Sequence, residues 1–313
     1  MLVIILMFIL GLSLVIKGGD WFVDSSVNIA KISGLPEIFI GATIVSLATT
    51  SPELLVSATA SYKGYTTMSV GNSLGSMICN MGLILGFLSI LKPSNIHSKV
   101  FKIKSLILLS YTAILFILSL NKYITKKEGL FLLVLLIFYI IINSLILKKE
   151  KRIKSKLKVT KRKKTIISIK FIIGILAIII GSNLLVNNGV LIAEMLKVPE
   201  AIISLTLIAL GTSLPELVTA ISAFKKGNTS ISTGNIIGAN ILNGVLVLGV
   251  SSLISPLKIL NQNLSIDYLV VFILTLILII PSLKLKKVTR IQGILLFSIY
   301  ILYLIVLYLV YLS

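Results

Sequence analysis

Two glutamates hold the chemistry of this chain. It has ten acidic residues, and only Glu53 and Glu216 fall in the middle of long apolar segments. An ionised carboxylate at membrane depth costs several kcal/mol, about 2.5–3.5 for Asp on insertion scales, unless something neutralises it. Each glutamate follows a proline, in Thr49-Thr50-Ser51-Pro52-Glu53 and Thr212-Ser213-Leu214-Pro215-Glu216. Proline has no N–H and crowds the carbonyl four residues back, here those of Ala48 and Gly211. The helices are expected to break or kink there and to free backbone oxygens, which is tolerated at membrane depth where they line a polar cavity. Carboxylates, hydroxyls and freed carbonyls make an all-oxygen set. Hard cations take such a set, calcium binding about six to eight oxygens at about 2.3–2.6 Å. No His or Cys accompanies the glutamates, which disfavours zinc, copper and iron. Two plainer readings stay open: a protonated, hydrogen-bonded Glu pair that holds helices together, and hydroxyls that only bond back to their own helices.

The two motifs belong to a repeat. Gly41–Glu53 pairs with Ser204–Glu216, and Gly71-Asn-Ser-Leu-Gly-Ser-Met-Ile-Cys-Asn80 pairs with Gly234-Asn-Ile-Ile-Gly-Ala-Asn-Ile-Leu-Asn243, both at an offset of 163 residues. The same offset aligns Gly11 with Gly174 and Gly86 with Gly249. The second motif adds amides. Asn72, Ser76 and Asn80 step by four and share a helix face, as do Asn235 and Asn243. Gly71 with Gly75, and Gly234 with Gly238, are small-xxx-small pairs that let helices approach closely.

These residues need elements to position them, and the composition says which. Of 313 residues, 57% are hydrophobic and 13% charged, with a mean hydropathy of +1.08. A soluble domain carries about 25% charged residues, so a water-soluble globule is excluded, and so is a disordered chain. A span needs about 20 apolar residues. Ten segments qualify, at about 2–24, 37–61, 68–91, 104–121, 128–147, 166–189, 199–223, 231–254, 267–283 and 291–311. The expected fold is an all-α polytopic membrane protein: a first repeat over 1–147, a basic loop at 148–165 and a second repeat over 166–313. Five helices per half make the repeats inverted, with helices 2 and 7 broken at Pro52 and Pro215. Such folds place their sites at mid-membrane, where interrupted helices of the two halves meet.

The net charge of +20 reads as membrane sidedness rather than as nucleic-acid binding. The run Lys148–Lys164 holds eleven basic residues against Glu150 alone. Lys92, Lys99, Lys102, Lys104, Lys225, Lys226, Lys284, Lys286, Lys287 and Arg290 fall on the same side. The opposite loops hold only Lys63, Lys122, Lys126, Lys127, Lys197 and Lys258. By the positive-inside rule the basic loop is cytoplasmic and both termini are extracellular. The only histidine, His97, sits in a cytoplasmic loop. Met1 leads straight into an apolar run, read as the first span rather than as a cleaved signal.

At Ala-Thr-Thr-Ser-Pro-Glu53 and Gly-Thr-Ser-Leu-Pro-Glu216, each followed by a Gly-Asn…Asn stretch, the sequence resembles the cation/calcium antiporter superfamily, and most of all its prokaryotic-type sodium/calcium exchanger branch. The resemblance implies calcium between Glu53 and Glu216, helped by main-chain oxygens of Thr49 and Thr212. It implies one sodium site from the Ser46 carbonyl, Thr49, Glu53, Ser76 and Ser213. A second would use Thr50, the Ala209 carbonyl, Thr212 and Glu216, with Asn80 and Asn243 facing the centre. Helices one and six would form a sliding gate. Two positions depart from the pattern. Ala239 stands where the second repeat often has Ser, and a methyl cannot ligate sodium. Asn243 stands where potassium-dependent relatives have Asp.

The expected function is therefore secondary antiport of sodium against calcium across the cell membrane, by alternating access. The alternative is proton/calcium (or other divalent cation) antiport, to which Ala239 lends weight. An intramembrane enzyme is the remote alternative, since no nucleophile–base constellation accompanies the glutamates. No enzymatic activity, cofactor, nucleic acid or obligate protein partner is expected. Calcium, sodium and the lipid bilayer are the expected partners.

Overall fold

Lipid offers no hydrogen bonds to a backbone, so a chain this apolar must satisfy its own N–H and C=O groups within helices. The computed structural model is almost entirely helical. It describes residues 2–32, 45–96, 98–148, 160–225 and 229–311. His97, residues 149–159 of the basic loop and the opening of the second expected segment, 37–61, lie outside the described residues.

The first half runs α1 (Leu2–Ile32), α2 (Val45–Thr49), α3 (Ser51–Tyr62) and α4 (Thr66–Leu91), with a π-helical stretch at Cys79–Leu85. It continues through β1 (Ser94–Asn95), α5 (Ser98–Ser119), β2 (Tyr123–Ile124) and α6 (Lys126–Lys148). The second half runs α7 (Lys161–Leu196), then α8, made of Glu200–Ile203, a π-helical Ser204–Ile208 and Ala209–Thr212. Next come α9 (Leu214–Lys225) and α10, made of Thr229–Leu242, a π-helical Asn243–Val247 and Leu248–Ile254. The chain ends with β3 (Leu257–Lys258), α11 (Asn263–Leu285), β4 (Lys287–Val288) and α12 (Arg290–Tyr311). Among the described residues nine helical stretches are long and apolar enough to span a membrane.

The helices α1 and α7 outrun their apolar windows. Hydropathy places their ends at 24 and 189, whereas the helices run to Ile32 and Leu196. Capping sets the bounds of α7. Thr160 accepts the Lys163 N–H at its start, and Lys197 closes it in a left-handed conformation, φ 55°. At 36 residues, α7 is about 54 Å long, against a hydrocarbon core of about 30 Å. It lies antiparallel to α1. A Cβ on Gly11 would stand 2.9 Å from the Gly181 carbonyl oxygen, and one on Gly18 2.8 Å from that of Gly174. Only glycine permits such close backbone contact.

Two short antiparallel pairings tie the halves together, β1 with β4 and β2 with β3. The segments α4 and α10 are the most buried spans and form the centre. Outward faces of α1, α6, α7 and α12 are apolar and exposed, as lipid contact requires. Two charged residues sit deeper than their sequence positions suggest. Lys104, expected in a loop, lies inside α5 and is buried. Asp267 is also buried, and it accepts hydrogen bonds from Tyr303 (2.9 Å), Asn263 (2.7 Å) and Gln262 (3.3 Å).

Candidate functional site

The two prolines sit where a missing N–H is harmless, in the first turns of α3 and α9. The residues before those helices have ψ near zero, Thr50 at φ −78°, ψ −3° and Ser213 at φ −81°, ψ 1°, while i→i−4 bonds still run through them, from Thr50 N–H to the Ser46 carbonyl and from Ser213 N–H to the Ala209 carbonyl, each 3.0 Å. Helix α1 crosses both junctions, because a Cβ on Gly19 would stand 3.1 Å from the Pro215 ring and 3.4 Å from the Pro52 ring.

Glu53 and Glu216 open α3 and α9, and both are fully buried. Each carboxylate meets a hydroxyl from the other half. Ser213 Oγ donates to Glu53 Oε1 at 3.3 Å, and Thr50 Oγ1 donates to Glu216 Oε1 at 3.5 Å. The two contacts interchange under the 163-residue offset. Ser76 also flanks Glu53, and Thr49 flanks Glu216. Glu53 lies within electrostatic reach of Glu216.

Around the carboxylates the polar side chains interlock. Ser76 Oγ and Thr212 Oγ1 share a hydrogen bond of 3.4 Å, and Thr212 donates to Asn72 Oδ1 at 3.2 Å. Asn72 donates to the Glu53 carbonyl (3.2 Å) and to Ser57 (2.9 Å). Ser46 donates to Asn235 Oδ1 at 2.7 Å. Asn80 donates to Asn240 Oδ1 at 3.0 Å, and Asn240 donates to the Met77 carbonyl at 3.1 Å. Ser51 turns back to the Leu47 carbonyl at 2.8 Å, which is the plain helix-bonding role.

Five atoms in this region are buried without a hydrogen-bond partner: Glu53 Oε2, Glu216 Oε2, Asn80 Oδ1, and Asn243 Oδ1 and Nδ2. Buried polar atoms are normally paired, and an exception calls for an explanation such as a bound ion. Four of the five are oxygens. Among the described residues no group of three or more His, Cys, Asp and Glu is placed to hold a metal. An ion here would therefore rest on two carboxylates and neutral oxygens.

The sequence-derived candidates thus gather in one buried region of α2, α3, α4, α8, α9 and α10. They are Ser46, Thr49, Thr50, Glu53, Ser76, Asn80, Ala209, Thr212, Ser213, Glu216 and Asn243, all buried. Sequence reasoning names Asn72, Asn235 and Asn240 without giving them a ligand role. The structure makes all three the framework that holds the hydroxyls and Asn80.

Fold and site together define a polytopic membrane transport protein with paired carboxylates in an oxygen-lined interior. The chain belongs to the sodium/calcium exchanger protein family, which matches it twice, over residues 3–145 and 167–309. It is 33% identical over 285 residues to the inner membrane protein YrbG of Escherichia coli, covering 88% of each chain. To the sodium/calcium exchanger MaX1 of Methanosarcina acetivorans it is 31% identical, covering 97% of this chain and 98% of that one. The fold matches a solved structure of the sodium-calcium exchanger NCX_Mj with a TM-score of 0.68 at 32% identity, over 96% of this chain and 98% of that chain. The protein is thus a cation/calcium antiporter rather than an enzyme.

Proposed function

We propose that the protein exchanges sodium for calcium across the cell membrane by alternating access, holding its ions between Glu53 and Glu216. One observation carries this reading: two fully buried carboxylates, equivalent under the repeat, each keep an oxygen without a hydrogen-bond partner. Calcium sits between them. The flanking sodium ions use Ser76, Ala209, Thr212 and Ser213 on the Glu53 side and Ser46, Thr49 and Thr50 on the Glu216 side, with Asn80 and Asn243 at the centre. This regroups the expectation from sequence, because Thr49 lies against Glu216 and Thr212 against Ser76. Sodium and calcium compete for the same two carboxylates. The protein changes face only when these are neutralised by ions, because bare carboxylates resist passage through an apolar barrier. That coupling makes it an exchanger rather than a leak.

The reading includes ten spanning helices in two inverted repeats, interrupted at Pro52 and Pro215, with both termini outside and the basic loop 148–165 in the cytoplasm. The pairing of β1 with β4 and of β2 with β3 supports it, since the 163-residue offset maps the strands of one pairing onto those of the other, with the register shifted by one residue. A proton/calcium exchanger is the second reading, favoured by Ala239, a buried methyl where the first repeat places Ser76. Calcium-45 uptake into proteoliposomes separates the two. An imposed sodium gradient drives uptake in the first reading. Uptake that ignores sodium and follows a pH gradient rejects it for the second.

A further inference from the structure

Tyr139, on α6, is buried, and its hydroxyl has no hydrogen-bond partner. No other buried tyrosine hydroxyl is unpartnered among the described residues. Tyr111 donates to the Leu135 carbonyl, Tyr268 pairs with Ser119, Tyr300 meets Cys79, and Tyr303 donates to Asp267. The Tyr139 oxygen stands over Gly238, where a Cβ would lie 3.2 Å from it and 2.8 Å from Ser46 Oγ. Both oxygens thus pack on one bare α-carbon. Ser46 continues the polar chain: its Oγ donates to Asn235, and its carbonyl accepts from Thr49 Oγ1 at 3.2 Å. Thr49 flanks the Glu216 carboxylate. The phenol thus lies beside the polar chain that runs through Ser46 and Thr49 to Glu216.

At one position the Glu216 flank lacks the hydroxyl its counterpart has. Under the 163-residue offset, Ser76 corresponds to Ala239 and Tyr139 to Leu302. Ser76 serves the Glu53 flank through Thr212. Ala239 offers only a methyl on the Glu216 flank, and Leu302 is exposed on the outer surface. The unpartnered phenol lies on the side where the repeat lost an oxygen.

We propose that Tyr139 is a specificity-determining residue of the ion site, its hydroxyl, beside Ser46, completing on the Glu216 flank the sodium-holding oxygen shell that Ala239 leaves open. The proposal rests on the sodium/calcium reading above. A monovalent ion draws its binding from neutral oxygens as much as from carboxylates, whereas calcium leans on the two carboxylate charges. Loss of one neutral oxygen therefore weakens sodium more than calcium. A structural role predicts no such split, because the hydroxyl has no hydrogen bond to lose.

The test is calcium-45 exchange in proteoliposomes with wild type, Tyr139→Phe, and the double variant Tyr139→Phe/Ala239→Ser. Thermal unfolding of each purified protein verifies folding. Tyr139→Phe is expected to raise the half-saturating sodium concentration roughly fivefold, the worth of about one hydrogen bond, with half-saturation by calcium unchanged. The double variant is expected to recover sodium affinity, because its added hydroxyl returns an oxygen beside Glu216. Sodium dependence in Tyr139→Phe indistinguishable from wild type overturns the proposal alone, as does a parallel loss for both ions or failure of the double variant to recover. Wild-type uptake driven only by a pH gradient overturns the sodium reading and this proposal together.

Discussion

A buried carboxylate is a commitment, because it is stable only while something balances its charge. Glu53 and Glu216 make that commitment twice in one space, each with a hydrogen bond from a hydroxyl of the other half. Glu53→Gln and Glu216→Gln keep the shape and remove one charge. Each is expected to cost calcium binding about 3 kcal/mol, on the order of 100-fold in affinity, and to abolish measurable exchange. The same variants relieve repulsion between like charges in the absence of ions. Their unfolding temperature in ion-free buffer is therefore expected to match or exceed that of wild type, while the stabilisation that calcium gives wild type disappears. A calcium-induced shift retained in both variants would place the ion elsewhere. The glutamates, hydroxyls and amides were legible in the sequence because charge and polarity inside apolar runs are conspicuous. Their partners were not. Ser46 meets Asn235 and Asn80 meets Asn240 across 189 and 160 residues, and no local pattern encodes such pairs. Tyr139 was hidden for a different reason: a phenol in an apolar helix looks like core until its hydroxyl is found without a partner.

At the scale of elements, the site depends on how closely α4 approaches α8. Gly75 sets that distance. A Cβ there would stand 2.5 Å from the Leu205 carbonyl oxygen and 2.7 Å from Ala209 Cβ. Backbone cannot move aside as a side chain can, so Gly75→Ala must push the helices apart. A cost of about 1–3 kcal/mol is expected from overpacking, read as a lower unfolding temperature. The loss should extend to transport, because Ser76 follows Gly75 and its contact with Thr212 is already 3.4 Å long. Unchanged stability and sodium affinity in Gly75→Ala would show that the contact yields at no cost. The small-xxx-small spacing announced this approach in the sequence, but it named no partner. Helix ends were legible only where hydropathy sets them. The last turns of α1 and α7 run past their apolar windows, and hydropathy carries no information about caps. The π-helical stretches at Cys79–Leu85 and Asn243–Val247 left no recognised signal either, although both begin at or beside the amides Asn80 and Asn243.

For the whole molecule, the proposed inversion requires that the repeat exchange the two ends of the protein. Strands β1 and β2 are separated by α5, a helix of 22 residues and so about 33 Å long, which puts them at opposite ends. The 163-residue offset carries Ser94 of β1 onto Leu257 of β3, and Ile124 of β2 onto Lys287 of β4. Yet β1 pairs with β4 and β2 with β3. An element at one end thus corresponds in sequence to an element at the other, which supports the proposed two-fold axis in the membrane plane. Such an axis lets one oxygen-lined site serve both faces, since whatever opens it to one side has a counterpart that opens it to the other. Sidedness then follows from the basic residues, and it can be measured directly. The single cysteine, Cys79, is buried, so the chain offers a quiet background for labelling. Ser155→Cys, in the basic loop, is expected to react with a membrane-impermeant maleimide only from the cytoplasmic face. Lys127→Cys, exposed at the start of α6, is expected to react only from outside. Labelling of both from one face would remove the inversion and, with it, the physical reason for two equivalent glutamates to meet at mid-membrane.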